Sequence, residues 1–199
     1  MKMLLSIVVI LVLLFVIFQS FVIMSTNKTA GQPYTVITKK EGFEIRFYPA
    51  ATIASIQSEA RTYKELSAPG FRKLAGYIFG GNETAEKIAM TSPVHMDIAN
   101  PVSTMSFVMP EGYNASNLPT PNDPSVVIST TKEEFVAAIP FEGFASDNDL
   151  AFYAGRLQEL LKENNISHYG HFRYLGYSPP YQLTGRRNEV IVSIHWDKK

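Results

Sequence analysis

A chain of 199 residues with 46% hydrophobic and 18% charged side chains carries enough apolar surface for one packed domain with an appendage. Eighteen basic residues balance eighteen acidic ones, which excludes the electrostatic footprint of a nucleic-acid binder. The absence of cysteine removes disulfides, thiolate metal centres, thiol nucleophiles and thioether-linked prosthetic groups, and leaves the compartment open.

Residues 4–24 form an apolar run broken only by Ser6, Gln19 and Ser20. At 1.5 Å per residue it is long enough to cross a hydrocarbon core of about 30 Å. A cleaved signal peptide has a shorter apolar region and a small-x-small cleavage site, and the following VIMSTNKTAG offers no such site. The spacing therefore predicts a single-pass signal anchor over residues 1–24, touching lipid through 4–24, with secretion after cleavage as the alternative. Lys2 and the α-amine precede the span and Lys28, Lys39 and Lys40 follow it. The globular part is expected on the non-cytoplasmic side. Residues 25–33, rich in turn formers, read as a linker, and the domain is expected over 34–199.

GFEIRFY places Phe43, Ile45 and Phe47 on one face of a strand, and Glu44 and Arg46 on the other. A turn at Pro49 is expected to pair it with a strand in 51–60. Pro69 suits a first helical turn, and Phe71, Leu74, Ala75 and Ile78 follow at i, i+3, i+4 and i+7. KIAMT and TMSFVMP read as strands, and NLPTPNDPS as a dividing loop. SVVIST and EEFVAAI are strands again. Positions 146–148 offer helix caps ahead of a stripe of Leu150, Tyr153, Ala154, Leu157, Leu160 and Leu161. HFRYLGY and EVIVSIHW close the chain as strands. The order predicts an α+β domain of two ββαββ halves.

The stretch GYIFGGNETAEKIAMTSPV sets Gly80 and Gly81 at the end of the first helical stripe. A phosphate-binding loop places Lys and Ser/Thr after its second glycine and opens a helix. Here Asn82 follows and the helix closes, so the pair is a C-cap.

With its neighbours, FRKLAGYIFGGNETAEKIAMTSPV resembles the signature of the SOUL/haem-binding protein family, in which a helix ending Tyr-Ile-x-Gly-x-Asn leads into Lys-Ile-x-Met-Thr-x-Pro-Val. YTVITKKEGFEIRFYPA is similar to the family's first hairpin, with Phe43 in place of a tyrosine. MSFVMPEGY with LPTPNDPSV resembles its Phe-x-x-Pro strand and proline loop, and YLGYSPPYQLTGRRNEVIV its Arg-Asn-Glu-Val ending. The resemblance implies two pseudo-symmetric halves forming a distorted β-barrel flanked by two helices. It implies non-covalent binding of haem or another tetrapyrrole, as carrier, buffer or sensor, in an apolar groove beside the first helix of the domain.

For such a ligand, Phe71, Leu74, Ala75, Gly76 and Ile78 are the expected groove, although Phe71, Leu74 and Ile78 also suit a plain core position. Ala75 and Gly76 are small enough for a flat ring to lie close. Arg186 and Arg187 are the expected cations for the propionates, since guanidinium suits a carboxylate. No axial ligand is assigned among His95, His168, His171, His195 and Met90. No nucleophile elbow, His-Glu-x-x-His motif or close carboxylate pair points to an enzyme. The fold also resembles effector-binding domains of multidrug regulators, which hold aromatic cations over an acidic residue, here Glu189. That resemblance implies a promiscuous hydrophobic receptor as the alternative, and a membrane-anchored partner-binding domain is a third.

Overall fold

A computed structural model describes residues 2–196. Twelve elements follow in order: α1 (Lys2–Lys28), β1 (Thr35–Lys40), β2 (Phe43–Tyr48), β3 (Thr52–Ser58), α2 (Tyr63–Ile78), β4 (Val94–Asp97), β5 (Ser103–Val108), β6 (Val127–Thr130), β7 (Glu134–Glu142), α3 (Asp147–Glu163), β8 (His168–Gly176) and β9 (Arg187–Ile194). The nine strands make one antiparallel sheet in the order β1-β2-β7-β9-β8-β4-β5-β3-β6.

Setting β1 aside, that order is a palindrome. β2-β7-β9-β8 runs inward from one end and β6-β3-β5-β4 from the other, each with one strand from the opposite half. The two halves therefore exchange their first strands. β2 pairs with β7, Arg46 opposite Val136, and β6 pairs with β3, Thr130 opposite Thr52. This corrects the expected hairpin through Pro49: β2 and β3 are not partners. Alternation fixes which face a side chain takes and says nothing about which strand lies beside it. Among the described residues the ladder ends at β1 and β6 with no pairing between them, so no hydrogen bonds there close the sheet into a barrel.

Both domain helices lie on one face, α2 against β3 and β5, and α3 against β7, β8 and β9. Leu74, Tyr77 and Ile78 of α2 and Leu157, Leu160 and Leu161 of α3 enter one core with Ile45, Ile56, Met105 and Val192. Leu150, Tyr153 and Ala154 pack only partly against it. α3 starts as expected. Ser146 caps it, with Ser146 Oγ accepting from the Asp149 amide at 3.3 Å and the Asp149 carboxylate accepting from the Ser146 amide at 3.0 Å.

α2 begins earlier than expected. Thr62 is its cap, accepting from the Glu65 amide at 3.1 Å, while the Glu65 carboxylate accepts from the Arg61 amide at 2.8 Å. Pro69 falls inside the helix. Its other end is a Schellman closure: Gly80 adopts φ +107° with its amide on the Tyr77 carbonyl, and the Gly81 amide reaches the Gly76 carbonyl at 2.8 Å. A Cβ on Gly81 would stand 2.6 Å from that same oxygen. Gly81→Val is accordingly expected to lower stability by about 1–3 kcal/mol, read as a shifted urea midpoint. An unchanged midpoint would mean the turn relaxes freely.

KIAMT is not a strand. Lys87 makes a single bridge to Phe79, Ile88 drops into the core, and the ladder starts only at Val94. Asn82 is buried and stitches this turn, donating to the carbonyls of Tyr77 (3.1 Å) and Glu86 (2.8 Å) and accepting from the Glu86 amide (3.0 Å).

α1 continues to Lys28, past the expected start of the linker. Residues 30–32 then run beside Ser92, the Ser92 amide donating to Ala30 and the Gln32 amide to Ser92. α1 is long and apolar enough to cross a membrane, the composition of a membrane anchor or a signal sequence, and most of its surface is exposed. The expected domain end at residue 199 lies outside the described residues.

Candidate functional site

Helix periodicity divides α2 sharply. Leu74 is 0% exposed, Ala75 and Ile78 are also buried, and Phe71 is half-buried with its ring 5.4 Å from Phe107. These four face the sheet, so they do not form the expected open groove. Gly76 does face outward, and a Cβ built there meets nothing within 4 Å. Arg72, Lys73 and Phe79 share the exposed side, Phe79 being 59% exposed. The sequence reading missed these three. The signal for them was available: the 3.6-residue period that buries Leu74 and Ile78 turns Arg72, Gly76 and Phe79 outward.

The paired arginines lie elsewhere. Arg186 precedes and Arg187 opens β9, whose neighbours are β7, β8 and α3, whereas α2 packs on β3 and β5. Arg186 is only 8% exposed. It donates to the carbonyls of Pro179, Gln182 and Ser178 and stacks 4.3 Å over the Phe144 ring. Arg187 binds Glu189 at 2.6 Å and covers the Tyr177 ring at 4.2 Å. Both guanidinium groups are thus engaged by their own surroundings.

The second face of the sheet carries a smaller apolar layer of Tyr48, Val136, Ala138, Leu175 and Ile191, with Tyr34 and Tyr177 at its margin. Arg46, on the strand face opposite Ile45 as alternation predicts, is 2% exposed there and forms a fork onto Glu189, Nη1 to Oε2 at 2.7 Å and Nη2 to Oε1 at 3.0 Å. The Tyr177 hydroxyl adds a bond to the same carboxylate at 2.8 Å. Burial alone would raise the Glu189 pKa, but Arg46 and Arg187 hold it below the usual carboxylate range. As the floor of a cation pocket Glu189 has no acceptor capacity left toward a ligand, since two guanidinium groups and a phenol already surround it.

The histidines are scattered. His171 is exposed beside Asp97 at 3.3 Å, His195 lies against the Tyr169 ring, and His168 against Phe172. His95 is half-buried, its Nε2 2.7 Å from Gln32 Oε1. Burial first, then the nearby Arg173, pushes its pKa down to about 4. The unfolded chain therefore takes up a proton that the folded one refuses between the ordinary value of about 6.5 and 4. Stability from this group is complete above pH 6.5 and lost as pH falls through that window. His95→Gln is expected to flatten the fall when denaturant midpoints are compared at pH 7 and pH 5, and an identical fall in both proteins would assign it elsewhere. Met90 packs against the core. Among the described residues no cluster of His, Asp or Glu forms a metal site.

A cavity of about 210 Å³ lies between α3 and the β4-β8-β9 strands, lined by Met96, Leu150, Ala154, Phe172 and Tyr174, with Asp147 and Arg173 at its edge. Small-molecule sites usually need about 300–1,000 Å³. It is therefore too small to enclose a macrocycle, and none of its lining comes from α2.

The model of the family described as SOUL heme-binding protein matches residues 29–193, beginning just after α1. Heme-binding protein 1 of Xenopus laevis is 29% identical over 161 residues, 76% of this chain and 84% of that protein. Heme-binding protein 2 of Mus musculus is 31% identical over 166 residues, covering 79% and 80%. Among solved structures, an uncharacterized conserved protein from Listeria innocua superposes with a TM-score of 0.59 at 8% identity, over 79% of this chain and 94% of that one. The EcmrR C-terminal domain gives 0.54 at 9% identity, over 82% and 99%. At such identities these structures share the fold alone. The family match reaches from β1 into β9 and takes in both domain helices of the exchanged ββαββ pair, and on that basis the chain belongs to the SOUL heme-binding protein family.

Proposed function

We propose that the domain binds haem or a related tetrapyrrole non-covalently against the outer face of α2, and that α1 holds it at a membrane. The observation that carries the location is the open space over Gly76, one helical turn from the exposed ring of Phe79. A planar macrocycle needs a low surface to lie on and an aromatic edge to rest against, and this face offers both. Arg72 and Lys73 project on the same side, where propionates would meet their charge, Lys73 Nζ also donating to Ser125 Oγ at 3.1 Å next to Asp123. Phe71, Leu74, Ala75 and Ile78 act from beneath, anchoring the helix to the sheet so that the platform stays flat.

Bound haem would supply an iron centre with its own redox and ligand chemistry. The chain's part is to bind the ring by apolar contact, worth about 25 cal/mol per Å² before association costs, and to orient it through the propionates. An open face exchanges its ligand more readily than a closed cavity, which favours carriage or buffering over a permanent prosthetic role. The reading is tested by absorbance titration of the full chain in lipid nanodiscs with hemin, against empty nanodiscs. A saturable Soret change at micromolar or lower hemin is expected. A change no larger than that of empty nanodiscs would remove haem as the ligand.

A further inference from the structure

The loop over 178–185, between β8 and β9, is built from within. Arg186 gathers the carbonyls of Pro179 (2.6 Å), Gln182 (2.7 Å) and Ser178 (3.3 Å). Gln182, itself buried, donates to the carbonyls of Thr184 (3.0 Å) and Gly185 (2.9 Å). With these polar groups turned inward, the tip presents Tyr181, 58% exposed, and Leu183, 48% exposed.

That tip is pegged to α1. Gln19 Nε2 donates to the Tyr181 carbonyl at 3.1 Å, and the Leu183 amide donates to Gln19 Oε1 at 3.0 Å. Ser6 and Ser20, the other polar residues of the 4–24 run, bond only to carbonyls of their own helix. Gln19 is thus the polar side chain of that run that joins α1 to the domain, and Val22 beside it is buried. An amide in an apolar helix is costly without a partner, so these two bonds set the register between helix and loop.

The register has a depth. Gln19 is seventeen helical steps on from Lys2, about 25 Å along a helix, against a hydrocarbon core of about 30 Å. With Lys2 at one boundary, Gln19 lies just inside the other, and Tyr181 and Leu183, bonded to it through their backbone, lie level with it. Tyrosine, with an apolar ring and a wet hydroxyl, suits that boundary.

We propose that the 179–184 tip is a membrane-interface wedge: Tyr181 and Leu183 enter the lipid boundary beside α1 and seat the domain on the bilayer instead of leaving it to swing on a linker. The proposal rests on reading α1 as an uncleaved anchor. Because the chain has no cysteine, single-cysteine labelling has no background. Leu183→Cys, carrying an environment-sensitive nitrobenzoxadiazole dye, is compared in phosphatidylcholine vesicles with Leu11→Cys, deep in α1, and Val127→Cys, exposed on β6. The quenchers are lipids bearing doxyl groups at shallow or deep acyl positions. The shallow quencher is expected to act on the label at 183, the deep one on the label at 11, and neither on the label at 127. Adding Gln19→Leu should bring the quenching at 183 down to the level at 127 while leaving the label at 11 unchanged. Quenching at 183 no greater than at 127, with the label at 11 still quenched, would overturn the wedge but not the anchor. A blue-shifted label at 183 that ignores lipid quenchers would mean a second copy of the chain covers the tip, and would overturn it equally. An unquenched label at 11 would remove anchor and wedge together, leaving haem binding untouched.

Discussion

Glu189→Ala is expected to cost about 3–5 kcal/mol of folding stability, the largest effect of any single polar substitution in the domain. The carboxylate is 0% exposed and the fork from Arg46 crosses β7 to reach it, joining β2 of the first half to β9 of the second. Removing it leaves Arg46 charged, 2% exposed and without its main partner, and deprives the Tyr177 hydroxyl of an acceptor. The penalty is that of the orphaned guanidinium more than of the lost attraction. Arg46→Met in the same chain should therefore recover a large part of the loss, since an apolar pair fits the layer of Tyr48, Val136 and Ile191. Denaturant unfolding of the two single variants and the double variant measures the coupling. Additive losses would show that the two side chains act independently, contrary to the geometry.

The next largest effect separates core from surface within one helix. Leu74→Ala is expected to cost about 2–5 kcal/mol, because a fully buried side chain leaves a cavity between α2 and the sheet. Gly76→Glu, two residues on, is expected to be neutral or to stabilise by up to about 1 kcal/mol, since glycine is a poor helix former and the added side chain points into open space. A large loss in the second variant would mean that the Schellman closure, which uses the Gly76 carbonyl, is disturbed by the substitution.

What the sequence revealed and what it hid divide along the same physical line. Local signals were legible: the glycine closure of α2, the Ser146 cap of α3, and the repeat of two ββαββ halves. The start of α2 was legible too, because Thr62 and Glu65 have capping-box spacing, but Pro69 drew the boundary downstream. The exchange of β2 and β6 between halves was not legible, since strand pairing at such separations leaves no periodic trace. The burial of Arg46 and Glu189 was hidden for a related reason. Alternation set Arg46 opposite Ile45 correctly, but the apolar layer that covers it comes from β7, β8 and β9. The same distance effect hid the surroundings of the paired arginines. Arg186 and Arg187 look like free cations in a turn, and only the folded loop shows what they bind.

Hemin affinity of Gly76→Glu, measured beside Ala151→Glu and wild type in nanodiscs, tests the central claim that the ligand lies on the outer face of α2. Ala151 lines the cavity under α3, a concavity that would catch the edge of a ring. The account predicts that Gly76→Glu loses about tenfold or more in affinity, roughly 1.4 kcal/mol or more, with its fold intact, and that Ala151→Glu binds as wild type does. Wild-type affinity in Gly76→Glu, together with loss in Ala151→Glu, would contradict it and move the site to the cavity under α3.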